Sequence, residues 1–240
     1  MRKIAALAAC TTLLAAATAG CSLNAQEVHA SQAFPHTGDS LKIDVSMGGV
    51  RVLPGSYGTV QVERWLRGKA ATDDPSWSLH DGTLRLSADC TMVFGDCGAR
   101  YHVKVPPGVR LSVEADDGVI LNGLTQDIDA VSRERIQVTR ASGRLRLRAD
   151  GPVQGINLTS RDVRVRTDYG GIDLAFTARP GKLDLESNDG PVTARVPSGT
   201  YAVTAVTETG RRRTEVEHDR KADARIVARS DTGDVRILKK

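Results

Sequence analysis

Arginine alternates with apolar residues in two neighbouring stretches, Arg144-Leu145-Arg146-Leu147-Arg148 and Val163-Arg164-Val165-Arg166. At period two, Arg144, Arg146, Arg148, Arg164 and Arg166 share the outward side of their strands, and stacking the strands would align them. Guanidinium groups in a row form forked hydrogen bonds to phosphate or carboxylate, so these five residues are the candidate site for an anionic ligand. Asp173, Asp184 and Glu186 stand at comparable outward positions. They favour the plainer alternative, a solvated face of mixed charge.

A second set, Asp116, Asp117, Asp150, Asp168 and Asp189, recurs at nearly regular intervals and could stack into a calcium or acid/base site. Aspartate in a turn also bonds its own backbone, which is the preferred reading. The nonapeptide spacing of calcium-binding β-rolls is absent. His29, His36, His80, His102 and His218 show no paired metal spacing and read as isolated, exposed side chains. No catalytic residue, cofactor or metal site is expected.

Cys90 and Cys97 bracket six residues. In an oxidising compartment such a pair reads as a local disulfide, and the spacing is not the two-residue spacing of redox or zinc motifs. Closing so small a loop stabilises by roughly 2 to 3 kcal/mol in the chain-entropy view.

The other two cysteines lie near the start. Arg2 and Lys3 precede an uncharged run over residues 4–20, rich in Ala, Leu and Thr, which reads as a secretory signal. It ends in Thr18-Ala19-Gly20-Cys21, small residues directly before a cysteine. This resembles the lipobox of bacterial lipoproteins, with Thr18 in place of the usual aliphatic residue. The resemblance implies cleavage before Cys21 and fatty acyl chains of the palmitate type on that cysteine. Leu7-Ala8-Ala9-Cys10 also fits by letter, but it leaves about six apolar residues ahead of it, where an export signal needs roughly 7 to 15. Two or more acyl chains anchor stably, because each buried methylene contributes about 0.8 kcal/mol. The expected place is the outer side of a cell membrane. Losing residues 1–20 removes two basic residues, which lowers the net charge from +4 to +2. Nucleic acid is not an expected partner, since no aromatic stacking platform accompanies the arginines.

Residues 21–38 are polar, carry Pro35 and Gly38, and read as a flexible tether behind the lipid. From Leu41 onward, short alternating segments mark half-buried strands, among them Leu41-Lys42-Ile43-Asp44-Val45, Leu84-Arg85-Leu86 and Leu183-Asp184-Leu185. Counting from Val119 through Ile136, Val153, Ile172, Val192 and Arg212 to Val235 gives steps of 17, 17, 19, 20, 20 and 23 residues. That is the size of one coil of a β-solenoid. The expected fold is therefore all-β, a single-domain solenoid over residues 39–240, with an antiparallel β-sandwich as the alternative. Val235 to Leu238 should close the stack, and Lys239-Lys240 should discourage edge pairing.

The turns Thr167-Asp168-Tyr169-Gly170-Gly171-Ile172, Ser187-Asn188-Asp189-Gly190-Pro191-Val192 and Ser230-Asp231-Thr232-Gly233-Asp234-Val235 resemble the repeats of a bacterial family designated DUF4097, the "putative adhesin" family. The likeness runs over roughly residues 40–238 and is strongest after Arg110. It implies a β-solenoid at the cell surface with no assigned catalytic residues. The expected function is that of a non-enzymatic surface lipoprotein, adhesin-like, binding or scaffolding envelope components. Its partners would be the membrane, through the anchor, and a cell-wall polymer or envelope protein. The alternative is an enzyme acting on envelope or extracellular polysaccharide.

Overall fold

A computed structural model describes residues 27–90 and 97–240. Within it the period-two segments are strands whose burial alternates residue by residue, as in Ile128–Ser132, where Ile128, Ala130 and Ser132 are buried and the residues between them exposed. Such a strand must cover one face. Here the opposite sheet covers that face, while the strand's edges pair in parallel with the strands one coil away. Val119 is registered with Ile136, Ile136 with Val153, Val153 with Ile172, and Ile172 with Val192. The chain passes alternately between two eleven-stranded sheets. Their inner faces enclose one column-built core of Val, Ile, Leu and Ala. This is a β-solenoid. Among the described residues, antiparallel pairing, the mark of the sandwich alternative, is confined to Val28–Pro35 with Thr59–Gly68, Thr59–Gly68 with Cys97–Val105, and Ser76–His80 with Thr83–Ser87.

Stacking order departs from chain order at both ends. The last coil, made by Arg225–Ser230 and Val235–Lys239, is inserted between Lys182–Ser187 with Val192–Val196 on one side and Thr200–Thr207 with Arg212–Thr214 on the other. At the opposite end, Ser40–Val45 and Gly49–Pro54 lie between strands of residues 83–105 and 110–122. The segment Val235 to Leu238, expected to end the stack, is therefore interior to it. The coil before it forms the end instead, for a reason written in its side chains. Arg212 and Thr214 occupy the columns of Val235 and Ile237 but are exposed. A terminal repeat has no neighbour to cover its core positions and must make them polar.

The tether also needs correction. Val28–Pro35 is an edge strand antiparallel to Thr59–Gly68, and it buries Phe34. Its other positions are small or polar, so the alternation is faint. Residues 21–26, with Cys21, lie outside the described residues. So do residues 1–20 and residues 91–96, between the paired cysteines. Cys90 and Cys97 themselves are joined in a disulfide, with Cα atoms 6.1 Å apart.

The corner turns show why glycine recurs. At most of them it is required by close stacking rather than by a left-handed backbone. A Cβ on Gly170 would run into Pro152, and one on Gly233 would run into the Gly190 backbone. Buried hydroxyls tie these turns from within. Thr167 and Ser187 both donate to the Gly170 carbonyl, at 2.5 and 2.9 Å, and Ser230 donates to Gly190 at 2.8 Å.

Candidate binding face

Leu145–Ala149 and Asp162–Thr167 are adjacent parallel strands with Arg146 beside Arg164 and Arg148 beside Arg166. Leu145, Leu147, Val163 and Val165 fill the core, so all four arginines project from the outer face of one sheet. Arg144 precedes the first strand on the same side. The five residues are thus brought together, in the order their spacing implies.

Their charges are largely spoken for. Across the sheet the row runs Asp129, Arg146, Arg164, Asp184, so each of these two arginines has a carboxylate on one side and the other arginine on the other. Arg146 donates to both oxygens of Asp162 at 3.0 and 2.8 Å. Arg164 Nε donates to Asp184 at 3.1 Å, and Arg166 reaches Asp184 and Glu186 at 3.2 Å each. Arg144 lies 3.3 Å from Asp127. The Arg146 hydrogen bonds hold the Asp162 carboxyl below the usual carboxylate range. At Asp184 burial pushes the other way, but the hydrogen bonds and charge of Arg166 and Arg164 more than offset it, and that carboxyl is also lowered.

Arg148 is the exception. It is exposed, and its side chain makes no hydrogen bond or ion pair among the described residues. Beside it Val131, 45% exposed, opens a shallow groove of about 260 Å³ lined also by Asp129, Arg146, Arg164 and Arg166. The face therefore offers one uncompensated guanidinium on a rigid lattice of paired ones. Such an arrangement can bind an anionic group by forked hydrogen bonds.

The aspartates expected in turns are turn residues. Asp168 accepts from the Asn188 amide at 3.0 Å, Asp189 from the Thr232 hydroxyl at 2.6 Å, Asp117 from the Gly48 N–H at 2.7 Å, and Asp116 lies 3.3 Å from Arg133. Among the described residues, no three His, Cys, Asp or Glu side chains converge as metal ligands would. The histidines are not all isolated, contrary to expectation. His29 stacks on Trp65 and His102 meets the same ring edge-on. His36 is buried. Antiparallel pairing at the amino-terminal end joins His29 to Trp65 across 36 positions in the chain, and no local spacing signals that.

With the two-sheet stack and its charged face described, the chain can be set beside known proteins. Its fold is shared with solved bacterial structures. One is a putative adhesin from Bacteroides fragilis, 12% identical, with a TM-score of 0.51 over 88% of this chain and 97% of that one. Another is a putative adhesin from Parabacteroides distasonis, 9% identical, with a TM-score of 0.52 over the same shares of the two chains. Identity this low speaks to fold alone. No family sequence model and no curated protein sequence matches the chain.

Proposed function

We propose that this chain is an extracytoplasmic lipoprotein, held to a membrane through acylated Cys21, whose solenoid binds or scaffolds envelope components without catalysis. The observation that carries the binding role is Arg148, an unpaired guanidinium on a face where its four companions are fixed by carboxylates. Fixed neighbours hold the groove open and leave one charge to offer. A polymer bearing regularly spaced phosphates or carboxylates, as cell-wall polymers do, is the ligand class this suits.

Three further points support the reading. The solved structures of like fold are described as putative adhesins. The turn repeats resemble those of the DUF4097 family, whose domain here would span residues 39–240 together with the strand at residues 28–35. The small-residue run before Cys21 resembles a lipobox.

Incubating the full chain with a panel of purified wall and capsule polymers separates binding from turnover. Retention of intact polymer is the expected result. Release of soluble product would mark the chain as an enzyme acting on polysaccharide.

A further inference from the structure

The other sheet carries a separate group of cations, gathered from distant parts of the chain. Trp65 packs against His29 at 4.7 Å and His102 at 4.6 Å between ring centres, and the Arg100 guanidinium lies 4.8 Å over the same ring. Trp65 thereby pins the start of the first strand against Arg100 and His102. Arg51 is registered beside His102, and Arg135 packs against Gly118 at the neighbouring turn. Together with Arg100 and His102 they line a groove of about 260 Å³. The Arg51 and Arg135 side chains make no hydrogen bond or ion pair among the described residues, and the Arg100 guanidinium's one ion pair there is with Glu27, at 3.9 Å. The carboxylate in the groove, Asp117, is engaged by the Gly48 N–H at 2.7 Å. Burial lowers the His102 imidazole, and Arg51, Arg100 and Lys104 lower it further against the opposing Glu63. The local field is positive.

This groove lies where the chain enters the fold. Val28 is registered with Leu66 and His29 with Trp65. Cys21 is seven residues before Val28, a length of chain that spans about 25 Å at most. A headgroup layer holding Cys21 is therefore within reach of Arg51, Arg100 and Arg135.

We propose that these three arginines dock on the phosphates of anionic lipid headgroups in the membrane that holds the anchor. The solenoid then lies with this sheet toward the bilayer. Because the two sheets face each other across the core, the Arg148 face points away from the membrane, free for a ligand. The inference rests on the anchor proposed above. Basic residues at an anionic surface each strengthen binding roughly fivefold, an effect confined to about a Debye length.

Arginine-selective modification by a phenylglyoxal reagent, read by mass spectrometry on the full acylated chain in vesicles, tests this without mutation. In phosphatidylglycerol vesicles, Arg51, Arg100 and Arg135 should react about fivefold more slowly than in phosphatidylcholine vesicles. About 0.5 M salt should erase the difference, because it shortens the screening length to a few ångströms. Arg148, the internal reference, should react equally in both. Equal rates at the three arginines, or equal slowing of Arg148, overturns the proposal. Full protection by inorganic phosphate over phosphatidylcholine vesicles also overturns it and assigns the groove to a free anion. The mass of the amino-terminal peptide reads the anchor separately. An unacylated peptide contradicts the anchor, whereas unprotected arginines on an acylated chain contradict the docking.

Discussion

Arg146 and Asp162 meet fork to fork across neighbouring strands, two guanidinium nitrogens to two carboxylate oxygens at 3.0 and 2.8 Å. The pair holds the Asp162 carboxyl below its ordinary value of 3.8. Its stabilisation is therefore complete above that value and is lost as pH falls through the lower folded value. Both side chains are partly exposed, which limits the pair to about 1 kcal/mol or less. Urea midpoints of wild type and Arg146→Ser should differ near neutral pH and converge as pH falls below the lowered Asp162 value. A gap that persists undiminished in acid would mean that Arg146 stabilises by packing alone.

Asp184 and Arg148 should behave oppositely. The Asp184 side chain is 17% exposed and receives both Arg164 and Arg166. Asp184→Ala leaves two guanidinium groups without their shared acceptor and should cost about 2 kcal/mol. Arg148→Ser should change stability by less than about 0.5 kcal/mol, since no partner is lost. Chemical denaturation of the two variants distinguishes a paired lattice from a loose basic stripe.

Much of this face was legible in the alternation of Arg and Leu, because period two dictates which side chains share a side. Which carboxylate would answer which arginine was not, since Asp162 and Asp184 reach their partners only through the register between coils. The columns from Val119 to Val192 follow from even spacing. The insertion of Val235–Lys239 ahead of Arg212–Thr214 could not be read from spacing, since both coils carry strand patterns. The exposed Arg212 at a core position was the one available signal. The groove of Arg51, Arg100 and Arg135 is assembled by antiparallel and crossover pairing at the amino-terminal end, which leaves no local trace.

The inner hydroxyls should matter more than their size suggests. Ser187 is fully buried, and its Oγ donates to the Gly170 carbonyl at 2.9 Å. Ser187→Ala removes that donor and should cost about 1 to 2 kcal/mol, whereas an exposed Thr→Ala change such as Thr204→Ala should be near neutral. Thermal unfolding of the two variants gives the comparison.

The polar end of the stack should act as a cap. Replacing Arg212 with Val and Thr214 with Ile continues the Val235 and Ile237 columns to the open face. An uncapped solenoid end invites another copy, so the double variant should self-associate. Sedimentation velocity should show a monomer in wild type and larger species in the variant. Identical profiles would remove the capping role.

The most direct test of the binding role is co-sedimentation of the full chain with a purified anionic cell-wall polymer, comparing wild type with Arg148→Ser. Wild type should bind and leave the polymer intact. Loss of one charge-assisted contact should weaken binding about tenfold while the unfolding midpoint stays unchanged. Binding that is equal in the two proteins, or polymer that is cleaved, would contradict the proposal that the Arg148 face is a non-catalytic binding surface.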